Sequence, residues 1–305
     1  MSRSSEPEVV RQFSRTVVDR VGALNDRYLA RDRPLSEARL LWTIGGAGPD
    51  GVDVAALRAR LGLDSGYLSR LLRRLESEGL VETRAVAEEG RDQRTRRSAL
   101  TPEGERERAV LDARSDELAE SLLEPLTTSQ RGRLVDAMQT VTRLLDAGAI
   151  ELAEVDPDDP RAVWSLRQYL EEIDARFDVG YDPAAAVPTT AEAMRPPRGL
   201  FVLATLRGEP VGCGALKLHA DGSAEVKRVW VSGAVRGAGL GRRLLRDLER
   251  RAVERGTTLL RLDTNATLVE AIALYRAEGW VEVPPFNDER YADHWFEKPV
   301  GPSAR

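Results

Sequence analysis

VWVSGAVRGAGLGRRLL (Val229–Leu245) is the stretch that decides how the second half of this chain folds. An apolar strand pattern ends near Val231, and a glycine-rich turn runs from Arg236 to Gly241. Arg242 to Arg255 then places Leu244, Leu245, Leu248 and Ala252 on one helical face. A strand that passes through a glycine turn into a helix start builds an anion site. The glycines let the backbone turn tightly and approach a ligand. The first amides of the helix have no internal partner and point outward at the positive end of the dipole. A pyrophosphate would be held there without a metal. The lysine and hydroxyl that follow the glycines of a P-loop are absent. A dinucleotide-binding fold would put such a turn after the first strand of a strand–helix series, but here an apparent hairpin precedes it.

The spacing Arg236-x-x-Gly239-x-Gly241 resembles motif A of the GNAT family of N-acetyltransferases. Upstream, Glu225 to Val231 looks like that family's fourth strand. Downstream, Asn265, then Glu270 to Tyr275 and Gly279-Trp280, look like its last motif helix. The resemblance covers about residues 150–300 and implies that acetyl-CoA donates its acetyl group to an amine by direct attack on the thioester. It implies that amides around Arg236, Gly237, Gly239, Gly241 and Arg242 hold the pyrophosphate. The backbone of Val229 and Val231 would pair with the pantetheine like an added strand, and Asn265 would sit near the cofactor. Tyr275 would protonate the leaving thiolate, and Glu225 would deprotonate the incoming ammonium, directly or through water. Without the resemblance, Tyr275 reads as a core or surface tyrosine and Glu225 as a strand glutamate that binds or orients substrate. Gly233 stands where the family often has proline after the strand, which leaves the turn looser without removing an amide.

At 305 residues the chain is long enough for two domains. With 42% hydrophobic and 31% charged residues it reads as water-soluble, and no apolar run approaches the ~18 residues of a membrane span. Met1 to Glu8 lacks the apolar centre of a signal peptide, and the lone Cys213 excludes an internal disulfide framework. A cytoplasmic protein is expected. His219 and His294 are too few and too isolated for a zinc site, so no metal is expected. The net charge of −5 argues against a uniformly basic nucleic-acid binder but leaves room for a local basic patch.

In the first half, Val9 to Ala30 reads as one helix, and Ser36 can cap the next, Glu37 to Ile44. Val54 to Leu61 and a helix capped by Asp64 or Ser65 and running to Glu78 flank Gly62, a helix-turn-helix pattern. Leu68, Leu71, Leu72 and Leu75 make its inward stripe and leave Ser65, Ser69, Arg70 and Arg73 outside. Leu80 to Val86 and Ser98 to Leu100 read as the arms of a hairpin with a charged tip. Thr101 caps a helix to about Leu126, and Thr128 or Ser129 caps another to about Ala147. Asp92-x-Arg94 followed by Leu100-Thr101-x-x-Gly104 resembles the MarR family of winged-helix regulators over about residues 5–147. Asp64 to Glu76 looks like its recognition helix. The resemblance implies a homodimer through the terminal helices that reads a double-stranded DNA operator. Ser65, Ser69, Arg70 and Arg73 would meet bases or phosphates, and Arg91, Arg94, Arg96 and Arg97 on the wing would reach phosphates or a minor groove. On charge alone the same arginines make a solvated turn with Glu88 and Glu89.

The expected architecture is a mainly α winged helix-turn-helix domain, residues 1–147, followed by an α/β GNAT domain with a mixed central sheet, residues 148–305. The latter should run Ile150–Val155, a helix Ala162–Phe177, a hairpin Leu200–Leu206 and Val211–Leu218, a strand from Ala224, the glycine turn and its helix. Leu259–Thr264, Thr267–Glu278, Val281–Val283 and His294–Lys298 follow. Three functions remain open on sequence: a DNA-binding regulator fused to a small-molecule N-acetyltransferase, a regulator whose GNAT domain senses a ligand or acetyl-CoA without turnover, and a protein-lysine acetyltransferase. Pro284, Pro285, Phe286, Asn287 and Tyr291 weigh toward a closed pocket and a small amine.

Overall fold

The computed structural model describes residues 5–24, 28–86, 95–177, 180–182, 185–186 and 189–301. The chain divides into two compact units, Met1–Val135 and Asp136–Arg305. In the first, α1 (Glu6–Val21) ends at Gly22, whose φ of 62° gives a left-handed cap donating to Asp19 O and starting no further turn. This cap shortens the helix that the apolar periodicity carries on to Ala30. Then come α2 (Leu35–Gly45), β1 (Val52–Asp53), α3 (Val54–Leu61) and α4 (Ser65–Ser77). Asp53 caps α3 by accepting from the amides of Ala55 and Ala56, and Asp64 caps α4 by accepting from that of Tyr67. The leucines Leu68, Leu71, Leu72 and Leu75 are buried against Leu40, Leu41, Ile44, Leu57 and Leu111.

The wing is β2 (Val81–Val86) paired antiparallel with β3 (Thr95–Leu100), out to Val86↔Thr95. β1, too short to show a period, adds to β3 at Val52↔Ser98 and Asp53↔Arg97. Arg97 belongs to this strand rather than to the wing tip. It donates to the carbonyls of Asp50 at 3.1 Å and Gly51 at 2.8 Å, so it ties β3 to the loop that leads into β1. Residues 87–94, with Arg91, Asp92 and Arg94, lie outside the described residues. Thr101 caps α5 (Pro102–Leu123), and α6 (Thr128–Ala149) crosses the division between the units.

The second unit is built on a mixed sheet in the order β4-β5-β6-β7-β8-β10-β9. Its elements are β4 (Ile150–Val155), α7 (Pro160–Arg176), β5 (Gly199–Leu206), β6 (Glu209–Leu218), β7 (Ser223–Val231), α8 (Leu240–Glu254), β8 (Leu259–Thr264), α9 (Val269–Ala277), β9 (Val281–Val283) and β10 (His294–Pro299). Strand alternation sends Leu200, Val202 and Ala204 to one face and Phe201 and Leu203 to the other. The first face is covered by Leu240, Leu244, Leu245, Leu248 and Ala252 of α8 and by Ile272 and Tyr275 of α9. The second is covered by Ala162, Leu166 and Tyr169 of α7. A Cβ at Gly214 would lie 2.8 Å from Leu248 Cδ1, so glycine there sets how closely α8 approaches. α8 begins at Leu240, two residues before Arg242, because Gly239 in the left-handed region is its N-cap.

Two features of β7 position the site. Its parallel pairing with β8 holds only at Ser223↔Leu259, Ala224↔Leu260 and Glu225↔Arg261, after which the strands part. On the β6 side, Lys227 faces Ala215 and Trp230 faces Cys213, so Arg228 and Val229 lie opposite Gly214 alone, a bulge. Arg228 has φ 58°, and its carbonyl accepts from Cys213 Sγ at 3.3 Å. Burial pushes the Cys213 thiol up to about 12, the charge of Arg228 opposing it.

Glu107 anchors the charges of the first unit. It accepts from Arg31 Nη2 at 2.6 Å, Arg31 Nε at 3.1 Å and Arg33 Nε at 2.9 Å. Burial alone would raise its carboxyl, but the hydrogen bond from Arg31 and the charges of Arg33 and Arg31 outweigh it and hold it low. Glu107→Gln should therefore lower the unfolding free energy by about 3 kcal/mol near neutral pH, the low end for a broken buried pair because Arg31 is partly open to solvent. A folded-state pKa below the ordinary 4.5 gives stability that is present above that value and lost as pH falls through the folded one. Denaturant melts should thus show the gap between wild type and variant closing below about pH 4.5; a gap constant with pH would refute the ionic origin.

Candidate functional site

Where β7 and β8 part, the sheet opens into two continuous hollows. One is a groove between β7, the glycine turn, α7 and α9, lined by Val229, Val231, Arg236, Gly237, Gly239, Leu240, Gly241, Arg242 and Leu274 among others. Val229 and Val231 present a strand edge that β8 no longer covers. Gly237 and Gly239 have φ of 79° and 81°, which a side chain would strain. Arg243 N donates to Gly239 O at 3.1 Å and starts the helical ladder, so the amides of Leu240, Gly241 and Arg242 stand before it without an intrahelical acceptor. A Cβ at Gly241 would meet Leu274 Cδ2 at 3.1 Å, which keeps the groove floor narrow. An apolar strand edge leading to free amides fits a long thiol arm ending in a pyrophosphate, the shape of coenzyme A.

The side chains of the turn are less free than its amides. Arg236 pairs with Glu172 and donates Nε–H to Val231 O at 3.0 Å. Arg242 Nε and Arg246 Nε both reach Glu278, at 2.6 Å and 2.8 Å. Each guanidinium is therefore partly neutralised, whereas the first amides of α8 have no side-chain acceptor.

The second hollow lies between the diverging ends of β7 and β8 and is lined by Phe177, Tyr181, Lys227, Arg228, Asp263, Asn265, Glu289 and Tyr291, among others. Tyr169, Ile173, Val229, Leu268 and Tyr275 line both hollows. Tyr275 stands at their junction, supported by the rings of Phe296 at 5.8 Å and Trp280 at 6.2 Å. Its hydroxyl makes no hydrogen bond with any described residue, and desolvation, with Tyr169 and Asp263 nearby, raises its pKa. A neutral phenol at the meeting point of two hollows can give a proton to a group arriving from either.

Glu225 lies elsewhere. It is buried at the last paired position of β7 and is not in the lining of either hollow. Its carboxylate meets His219 Nε2 at 3.3 Å and Lys227 Nζ at 3.4 Å, and accepts from Asn287 Nδ2 at 3.1 Å. Burial would raise its pKa, but Lys227, His219 and Lys217 and the bond from Asn287 hold it low. Asp263, unsuspected in the sequence, does line the hollow. It binds Lys227 Nζ at 2.7 Å and shares the Asn287 amide at 3.2 Å. Asn265 follows β8 as expected, but its side chain is engaged. It donates to Tyr291 O at 2.9 Å and accepts from Thr267 N and Oγ1.

On the first unit, Ser65, Arg70 and Arg73 are exposed and Ser69 is half-buried. Ser65 and Ser69 share a shallow groove with Arg58 and with Arg96 of the wing arm. Arg70 lies over the Tyr67 ring at 5.7 Å, and Arg73 Nε donates to Ser69 O. Among the described residues no group of side chains could hold a metal ion, and no helix is long and apolar enough to cross a membrane.

A sheet split around a coenzyme-shaped groove, with a phenol at the split, defines an acyltransferase using a thioester of coenzyme A. The Acetyltransferase (GNAT) family model matches residues 164–280, and the MarR family model matches residues 32–92. A protein named IAA acetyltransferase from Azospirillum brasilense is 34% identical over 120 residues, 39% of this chain and 78% of that protein. An uncharacterized N-acetyltransferase from Schizosaccharomyces pombe is 29% identical over 146 residues, 47% of this chain and 86% of the relative. Among solved structures, a GNAT acetyltransferase from Staphylococcus aureus is 18% identical with a TM-score of 0.43, over 50% of this chain and 99% of the other. The chain belongs to the GNAT family of acetyltransferases, joined to a MarR-family region. It is an N-acetyltransferase with acetyl-CoA as co-substrate.

Gly239→Asp should weaken coenzyme A binding at least about tenfold, because it strains a left-handed backbone and sets a carboxylate beside the helix start. Calorimetric titration checks this; equal affinities would move the pyrophosphate site away from the turn.

Proposed function

We propose that the protein is a DNA-binding regulator that also acetylates a small-molecule amine, with Tyr275 as the general acid. The observation that carries the catalytic assignment is the Tyr275 phenol at the junction of the two hollows, without a hydrogen-bond partner among the described residues. Acetyl-CoA supplies an activated acyl carbon and a thiolate leaving group. The edge of Val229 and Val231 aligns the arm, and the amides from Gly239 to Arg242 fix its pyrophosphate. Tyr275 gives its proton to the departing sulfur. Glu225, coupled to Asp263 through the Asn287 amide, accepts the ammonium proton by way of water, since its own carboxylate stands outside the cavity lining. A small acceptor is favoured by the ring cluster that narrows the second hollow. There Tyr181 lies 5.0 Å and Phe177 5.8 Å from Tyr291.

For the regulator half, α4 would enter a major groove of an operator with Ser65, Ser69, Arg70 and Arg73, and the wing with Arg91, Arg94 and Arg96 would reach the backbone. Apolar residues left open on the terminal helices support a homodimer: Val9 at 54% and Phe13 at 48% on α1, Met138 at 49% and Leu145 at 67% on α6.

Tyr275→Phe keeps the ring and removes the proton donor. Turnover should fall by roughly 10²–10⁴ while coenzyme A affinity holds. Steady-state acetyl transfer beside calorimetry decides it, and unchanged turnover would remove the assigned role. Arg70→Ala with Arg94→Ala should weaken binding to an operator selected with the wild-type protein by about 1–3 kcal/mol per groove-reading side chain. A gel-shift titration at fixed salt showing no loss in the double variant would reject the winged-helix assignment.

A further inference from the structure

The acceptor hollow contains a cation that acetyl transfer does not use. Arg228 sits at the β7 bulge with φ 58°, a left-handed conformation that a non-glycine residue keeps only where its surroundings hold it. Its guanidinium lies over the Tyr169 ring at 5.4 Å and donates Nη1–H to the Tyr181 hydroxyl at 3.3 Å. Neither partner is a carboxylate, and burial pushes the Tyr169 phenol up to about 12. Among the described residues no carboxylate forms an ion pair with Arg228. Asp263 lines the same hollow but is engaged by Lys227. By contrast, Arg176, Arg236 and Arg242, which line the adjoining groove, each have a carboxylate partner.

A largely desolvated guanidinium without a counter-ion is costly, and ligand sites are where such a cost is offset. Arginine's planar fork matches a carboxylate with two parallel hydrogen bonds. A doubly charged phosphate suits the hollow less well, because Asp263 and Glu289 also line it. We propose that the acceptor amine carries a carboxylate, that Arg228 binds it, and that Tyr169, Tyr181 and Tyr291 grip the body of the molecule. This rests on the hollow being the acceptor site of the proposed acetyl transfer. It places Arg228 as a specificity-determining residue rather than a proton carrier.

The test compares the proteinogenic amino acids with their C-terminal carboxamides, which keep the amine and lose the charge. Two readouts run in parallel on the full chain: kcat/KM for acetyl transfer, and calorimetric binding to the protein saturated with coenzyme A. For the amino acids that are accepted, the free acid should be favoured at least about tenfold over its amide in both. The amide's less basic amine would, on reactivity alone, tilt turnover the other way. Arg228→Gln should collapse the preference and Arg228→Lys should keep part of it, with coenzyme A affinity in both variants reporting an intact fold. Selective binding of acids without turnover would overturn the acetyltransfer reading and uphold the carboxylate site. Turnover or binding with no acid preference, or a preference unmoved in Arg228→Gln, would overturn the carboxylate site. Neither binding nor turnover with any member of the set would overturn it too.

Discussion

The parting of β7 and β8 beyond Glu225 and Arg261 is the constraint on which the catalytic unit depends. Continued parallel pairing would satisfy the strand edges with each other and leave no slot. Because α8 crosses over between the two strands, the glycine turn that starts it must lie at the mouth of that slot. The open edge of β7 follows from this interrupted ladder, and the free amides of α8 and the ring of Tyr275 border the slot it leaves. The bulge at Arg228 works with it. By setting two residues opposite Gly214, it changes which side chains of β7 face α7 and which face α8.

Charge is distributed with the same economy. The unit is rich in arginine, yet most of its guanidinium groups are tied to carboxylates on neighbouring elements: Glu172 of α7 holds Arg236 of the glycine turn, and Glu278 after α9 holds Arg242 and Arg246 of α8. The arginine ends of these bridges are open to solvent, which limits what each contributes to stability, although the Glu278 side chain is buried. Their effect is to tie the rim of the groove to the helices around it. The first amides of α8, whose N-cap Gly239 offers no side-chain acceptor, keep their donor capacity for an anion.

Much of this fold is readable in the sequence because local rules agree with tertiary ones. The boundaries of β4, β8, β9 and α3 follow from alternation or from a cap and a closing glycine, and the inward leucines of α4 from a helical period. β1 is invisible to periodicity because two residues show no period, and the apolar pattern of α1 reads on past Gly22, where the left-handed cap ends the helix. The glycine turn is legible through a motif, and so is the placing of Tyr275 on the helix beside it. Lys227, Arg228, Asp263, Tyr169 and Glu172 are not, because they come from β7, β8 and α7 and meet only when the sheet is assembled. The same assembly shows that Glu225 and Asn265 spend their hydrogen bonds on neighbours. No spacing along the chain could have shown that.

The chain's lone cysteine sits under the bulge, fully buried, its thiol held protonated far above physiological pH. Thiol-trapping dyes react through the thiolate and need access. A colorimetric assay that captures each molecule of free coenzyme A as it is released will therefore read turnover without a background from the folded protein. Any slow colour that develops without substrate would then measure how often the strand pair above Cys213 opens.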